Sequence, residues 1–121
     1  IDRRLDVRLE GDMQSYRWTL NGRRFDPTDV YASALEVREG ERVRLSFENR
    51  SMMFHPMHLH GHTFQLRGRR LDGARKDTVI VRPMEAVVAE FDADNPGQWA
   101  LHCHNIYHAE SGMMTLISYI A

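Results

Sequence analysis

The chain has 121 residues, enough for one domain with a single sizeable core. Hydrophobic residues make up 42%, so a globular fold is expected rather than disorder, and nothing in a formal net charge of −1 suggests nucleic acid or an anionic membrane. The lone cysteine cannot form an internal disulfide, no apolar run approaches a transmembrane helix, and no secretory signal is visible. The first residue is Ile1, in a charged stretch that runs to Glu10. The sequence therefore reads as a processed or trimmed product, or as a piece of a longer chain.

Residues 1–14 are a candidate N-terminal arm rather than a core strand. Tyr16 to Leu20 alternates and ends at Asn21-Gly22, a strong hairpin-turn signal. Asp26 to Ser33 has loop composition. Ala34 to Arg38 and Arg42 to Phe47 alternate on either side of Glu39-Gly40-Glu41, as half-buried strands do. Phe64 to Arg67 is a further strand, followed by the turn Leu71-Asp72-Gly73. Thr78 to Val81 and Val87 to Phe91 flank Pro83. Asp94-Asn95-Pro96-Gly97 is a turn, Gln98 to His104 a strand, and Met114 to Ile120 the last one. About eight strands at roughly ten-residue spacing predict an all-β fold, a Greek-key β-sandwich or barrel, over residues 1–121. One short helix is expected near Asn105 to Glu110.

Two clusters hold all seven histidines and the cysteine: HPMHLHGH at 55–62 and HCHNIYHAESGMM at 102–114. Side chains alternate faces along a strand, so His102 and His104 point one way and Cys103 the other. One strand can thus serve two metal sites. On the thiolate side, His108 and Met113 follow Cys103 at intervals that a short turn or helix can close. Two imidazoles, a thiolate and a weak axial thioether form a blue-copper electron-transfer site. His55 is the candidate second imidazole, and Met114 competes with Met113 for the axial position. A buried cysteine is usually a small hydrophobe, but the flanking histidines favour ligation here.

His58 and His60 share a face on an extended segment and are expected to join His102 and His104 at a second site. His62 is expected to support by hydrogen bonding or packing rather than to ligate. A zinc site would close with four ligands and has no use for so many histidines or for two faces. The methionines at 13, 52, 53, 57 and 84 are read as packing.

HPMHLHGH and HCHNIYHAESGMM closely resemble the last two copper-binding motifs of the multicopper oxidases, the laccase-like and copper-resistance enzymes. The likeness runs from Tyr16 to Ile120, including YRWTLNGRRF, and points to a cupredoxin-like domain at the C-terminus of such an enzyme. The resemblance implies type 1 copper on His55, Cys103, His108 and Met113. It implies type 2 copper on His58, and a type 3 pair on His60, His102 and His104. By the same resemblance, a small reducing substrate gives single electrons to the type 1 copper. These pass through Cys103, His102 and His104 to a trinuclear cluster that reduces dioxygen to water.

The sequence departs from the family in two places. The family's cluster takes half its histidines from another domain, and this chain carries only its own four. Some members place an acid directly after the histidine matching His108, where this chain has Ala109, with Glu110 next. The missing ligands would come from another oxidase domain or from a homo-oligomer partner. Without them, the chain would be a stand-alone blue-copper electron carrier or copper-binding module, against which the four additional histidines count. No nucleic-acid or membrane partner is expected. The resemblance also implies a periplasmic or secreted location.

Overall fold

The computed structural model describes residues 1–12, 14, 17–68, 72–105 and 112–121. Among these residues there are eleven strands and no helix. The helix expected near Asn105–Glu110 falls, apart from Asn105, outside the described residues.

The strands are β1 (Arg3–Asp12), β2 (Arg17–Leu20), β3 (Leu35–Arg38), β4 (Arg42–Asn49), β5 (His55–Leu59), β6 (Phe64–Arg67), β7 (Arg75–Lys76), β8 (Thr78–Val81), β9 (Ala86–Asp92), β10 (Gln98–Cys103) and β11 (Met114–Ile120). One sheet runs β2-β1-β4-β9-β6-β7 and the other β3-β11-β10-β5-β8. β1 runs parallel to β4 and β3 parallel to β11, and the other pairs are antiparallel. From β4 to β10 the chain passes repeatedly between the sheets, which closes an all-β sandwich.

β4 shows how sequence makes a layer. Val43, Leu45, Phe47 and Asn49 alternate inward and are buried. Arg44 faces outward, where its guanidinium pairs with Glu90 at 2.7 Å. The inward residues join Leu59, Phe64, Phe91, Leu101 and Ile117 in one core between the sheets. Each such side chain contributes roughly 1.5–3 kcal/mol by leaving water.

The stretch set apart as an arm is built into the first sheet. β1 pairs with β4 from Arg3↔Val43 to Leu9↔Asn49, and Val7 and Leu9 are fully buried. Its Leu5-Val7-Leu9 alternation is interleaved with Arg3, Arg4, Asp6, Arg8 and Glu10, whose charges mask it. The turn signal at Asn21-Gly22 is real: both residues have positive φ, and Leu20 and Arg23 exchange backbone hydrogen bonds. The turn does not make a long hairpin, because β2 pairs back onto β1. The Asn21 side chain holds that arrangement, accepting from the Arg8 N–H and donating to the Asp6 carbonyl.

Candidate metal centres

β5 and β10 lie side by side in the second sheet, in the register Leu101↔Leu59, His102↔His58 and Cys103↔Met57. Period-two alternation then sorts their side chains. His55, Met57, Leu59, Leu101 and Cys103 point into the core, whereas His58 and His102 are a directly opposed pair on the outer face. Two backbone bonds extend the pairing beyond the ladder: His60 N–H donates to the Ala100 carbonyl and His104 N–H to the Pro56 carbonyl. Pro56 lacks an N–H, and its missing donor faces the end of β10, where the regular ladder has already stopped.

On the inner face, the Cys103 Sγ and the His55 Nδ1 are 3.7 Å apart, and both residues are fully buried. Burial pushes the Cys103 thiol up to about 11. A cation bound there must therefore displace a proton. The other ring nitrogen, His55 Nε2, is 2.7 Å from the Ser51 Oγ. The His55 and Trp18 rings make a T-shaped contact, with ring centroids 5.4 Å apart. Met113 is fully buried, and its carbonyl accepts from the Cys103 N–H at 3.1 Å. Met114 instead opposes His102 in the β10–β11 ladder and so shares the outer face. Met113 is thus buried beside Cys103 in the backbone, whereas Met114 lies on the face of His102. His108 lies outside the described residues, as do Ala109 and Glu110.

On the outer face, four imidazoles form one group. Ring centroids lie 4.6 Å apart for His58–His60, 5.1 Å for His60–His102, 5.6 Å for both His58–His102 and His58–His104, and 6.0 Å for His102–His104. Backbone carbonyls orient two of them. His58 Nδ1 is 2.9 Å from the Asp77 carbonyl and His102 Nδ1 is 3.0 Å from that of Cys103. A carbonyl can only accept, so each Nδ1 carries a proton and each Nε2 points away from the backbone. His60 Nε2 and His102 Nε2 face each other at 3.0 Å. Partial desolvation, followed by the neighbouring His58, His102 and His104, pushes the His60 pKa down, which favours the neutral form that can ligate.

Among the described residues, no three His, Cys, Asp or Glu side chains converge as the ligands of one ion. The outer group consists of imidazoles on the outer face of the sheet. The inner group is a buried thiol beside an imidazole, with a buried methionine next to it in the backbone. Both donor sets fit copper.

His62 is hydrogen-bonded at both ring nitrogens, Nδ1 to the His60 carbonyl at 3.0 Å and Nε2 with the Tyr119 hydroxyl at 2.7 Å. It supports the turn after His60 rather than joining the group. Gly61 in that turn has φ +73°, and a Cβ there would come within 2.5 Å of the Trp99 ring. The packing reading of the methionines needs correction. Met57 is fully buried and Met53 packs against the core, but Met52 and Met84 are 79% and 69% exposed. They sit on two surface loops, which a strand-based reading of the sequence does not place. Met13 lies outside the described residues. Sequence reasoning also missed Asn49 and Ser51, which no metal-ligand spacing marks.

An all-β sandwich with a buried Cys–His pair on one face of a sheet and an imidazole group on the other defines a cupredoxin domain of a copper oxidoreductase. The family description for multicopper oxidases matches residues 3–119, and the chain belongs to that family. It is 50% identical over 117 residues to the multicopper oxidase MmcO of Mycobacterium tuberculosis, covering 96% of this chain and 22% of that protein. It is 37% identical over 112 residues to copper resistance protein A of Escherichia coli, covering 92% of this chain and 18% of the relative. Among solved structures it is similar to the McoA multicopper oxidase of Aquifex aeolicus, with a TM-score of 0.81 and 31% identity over 98% of this chain and 29% of that one. The chain thus spans about a fifth of the length of the curated relatives it matches. Copper is the cofactor that membership in this family entails.

Proposed function

We propose that this domain holds a type 1 copper through His55, Cys103, His108 and Met113, and half of a trinuclear copper cluster through His58, His60, His102 and His104. The reading extends to the oxidation of a small reducing substrate with dioxygen as acceptor, once another domain supplies the remaining ligands. The observation that carries it is the opposed pair His58↔His102, with Cys103 on the reverse face of the same strand. Copper, when bound, would supply one-electron redox chemistry at the thiolate and dioxygen reduction at the histidines. The polypeptide does the rest. Cys103 gives up its proton, and its buried setting excludes water from the thiolate. The peptide bonds to His102 and His104 make a covalent path between the two faces. The carbonyls of Asp77 and Cys103 hold the His58 and His102 rings with Nε2 outward.

The length of the relatives supports a second domain as the source of the missing imidazoles. An exported location belongs to the same reading and rests on the resemblance. Copper content per chain, measured with oligomeric mass on the copper-loaded chain, tests the proposal. One copper on a blue monomer is expected. More than one copper per chain in a dimer or larger assembly would show that copies of this chain complete the cluster for one another. A loaded chain with no intense blue thiolate absorption would contradict the reading.

A further inference from the structure

The inner-face imidazole is one end of a buried hydrogen-bond chain that starts on β4, in the other sheet. Asn49 is 1% exposed, at the end of β4. Its Nδ2 lies 2.7 Å from the Met53 carbonyl, 3.1 Å from that of Val81 and 3.0 Å from that of Arg82. Carbonyls only accept, so the amide cannot be turned over: Nδ2 faces those oxygens and Oδ1 faces the other way. Oδ1 accepts the Ser51 N–H at 2.9 Å and lies 2.8 Å from the Ser51 Oγ. Oδ1 has no proton to give, so the Ser51 hydroxyl donates to it. That spends the one proton on Oγ. The atom 2.7 Å from Oγ on its other side is His55 Nε2. For a hydrogen bond to exist there, Nε2 must carry the proton. The neutral His55 ring is then deprotonated at Nδ1, the atom that faces the Cys103 sulfur.

We propose that Asn49 and Ser51 are positioning residues that lock His55 in the Nε2–H tautomer and so aim the Nδ1 lone pair into the type 1 copper site. The proposal rests on the reading of His55 as a copper ligand. The lock works before any metal arrives, because its direction is set by three backbone carbonyls rather than by the ion. Without it, a buried imidazole would be shared between two tautomers, one of which presents an N–H to the incoming cation. An acceptor on Nε2–H also makes the ring a stronger donor at Nδ1 and favours the oxidised metal. The same chain ties the 50–54 loop to the 81–82 segment, so it fixes the place of the ring as well as its proton.

The test has two parts. In the metal-free chain, nitrogen-15 NMR of the histidine side chains should show His55 protonated at Nε2 and bare at Nδ1, with Ser51→Ala moving it toward a mixture and Ser51→Thr restoring it. In the copper-loaded chain, Ser51→Ala should weaken copper binding by about tenfold or more and raise the reduction potential, and Ser51→Thr should recover both. A wild-type His55 protonated at Nδ1 would overturn the proposal. So would a Ser51→Ala chain with unchanged tautomer, affinity and potential. If Ser51→Ala does not fold, the wild-type spectrum still decides. A wild-type chain that never turns blue would count against the ligand reading, whereas the metal-free spectrum judges the relay by itself.

Discussion

On the inner face of β5 and β10, His55 and Cys103 are sealed from solvent, and a relay through Ser51 and Asn49 fixes the ring. On the outer face, one residue away along the same strands, His58 and His102 open toward solvent beside the exposed His60 and His104. The inner face carries a protonated thiol that only a strongly bound cation will deprotonate. The outer face carries four imidazoles, two of them oriented by backbone carbonyls, and among the described residues they converge on no single ion. The difference teaches that one ladder can carry a sealed group on one face and an open group on the other. Period-two alternation separates them, and burial on one side gives the inner site an independence that the outer site lacks.

Removing the sulfur breaks the comparison most completely. Cys103→Ser should abolish the blue thiolate absorption of the copper-loaded chain while leaving the histidine group on the outer face in place. Visible absorption, with copper content measured alongside, checks both halves. Persistence of the band would contradict the assignment of the inner site.

Gly61→Ala attacks the outer face through its backbone. The added Cβ meets the Trp99 ring in a left-handed turn next to His60, and the cost should be about 1–3 kcal/mol in a urea titration. Histidine NMR should show His60 displaced and His55 unmoved. A shift of His55 as large as that of His60 would mean the faces are not independent.

The pH dependence of the metal-free chain sharpens the comparison further. Burial raises Cys103 from an ordinary 9.0 to about 11, so the folded state binds this proton more tightly than the unfolded one. Its contribution is fully present below pH 9 and is lost as pH rises through about 11, a change of roughly 2 kcal/mol. Chemical denaturation at pH 8 and pH 11 measures it, against a Cys103→Ala chain in which this component of the loss should vanish. Equal pH slopes for the two chains would contradict it.

Much of this arrangement is legible in the residues. The alternation in β4, β9, β10 and β11 marks strands directly, and the same period separates His102 and His104 from Cys103. β1 is harder to read, because five charged side chains interrupt its half-buried Leu5 and its buried Val7 and Leu9. β5 is harder still, because its strand residues are His-Pro-Met-His-Leu, with a proline and two imidazoles in place of β-branched side chains. The relay was invisible for another reason. Asn49 acts through the carbonyls of Val81 and Arg82, 32 and 33 residues away in sequence, and only the folded chain brings these together. The exposure of Met52 and Met84 likewise depends on where two loops come to rest.

The partition of the histidines between the two faces is the central claim, and the blue absorption of two single variants tests it most directly. His108→Ala should remove the band from the copper-loaded chain, and His58→Ala should retain it at close to full intensity. If both variants stay equally blue, or if His58→Ala bleaches the chain, the division of ligands between the inner and outer faces is wrong.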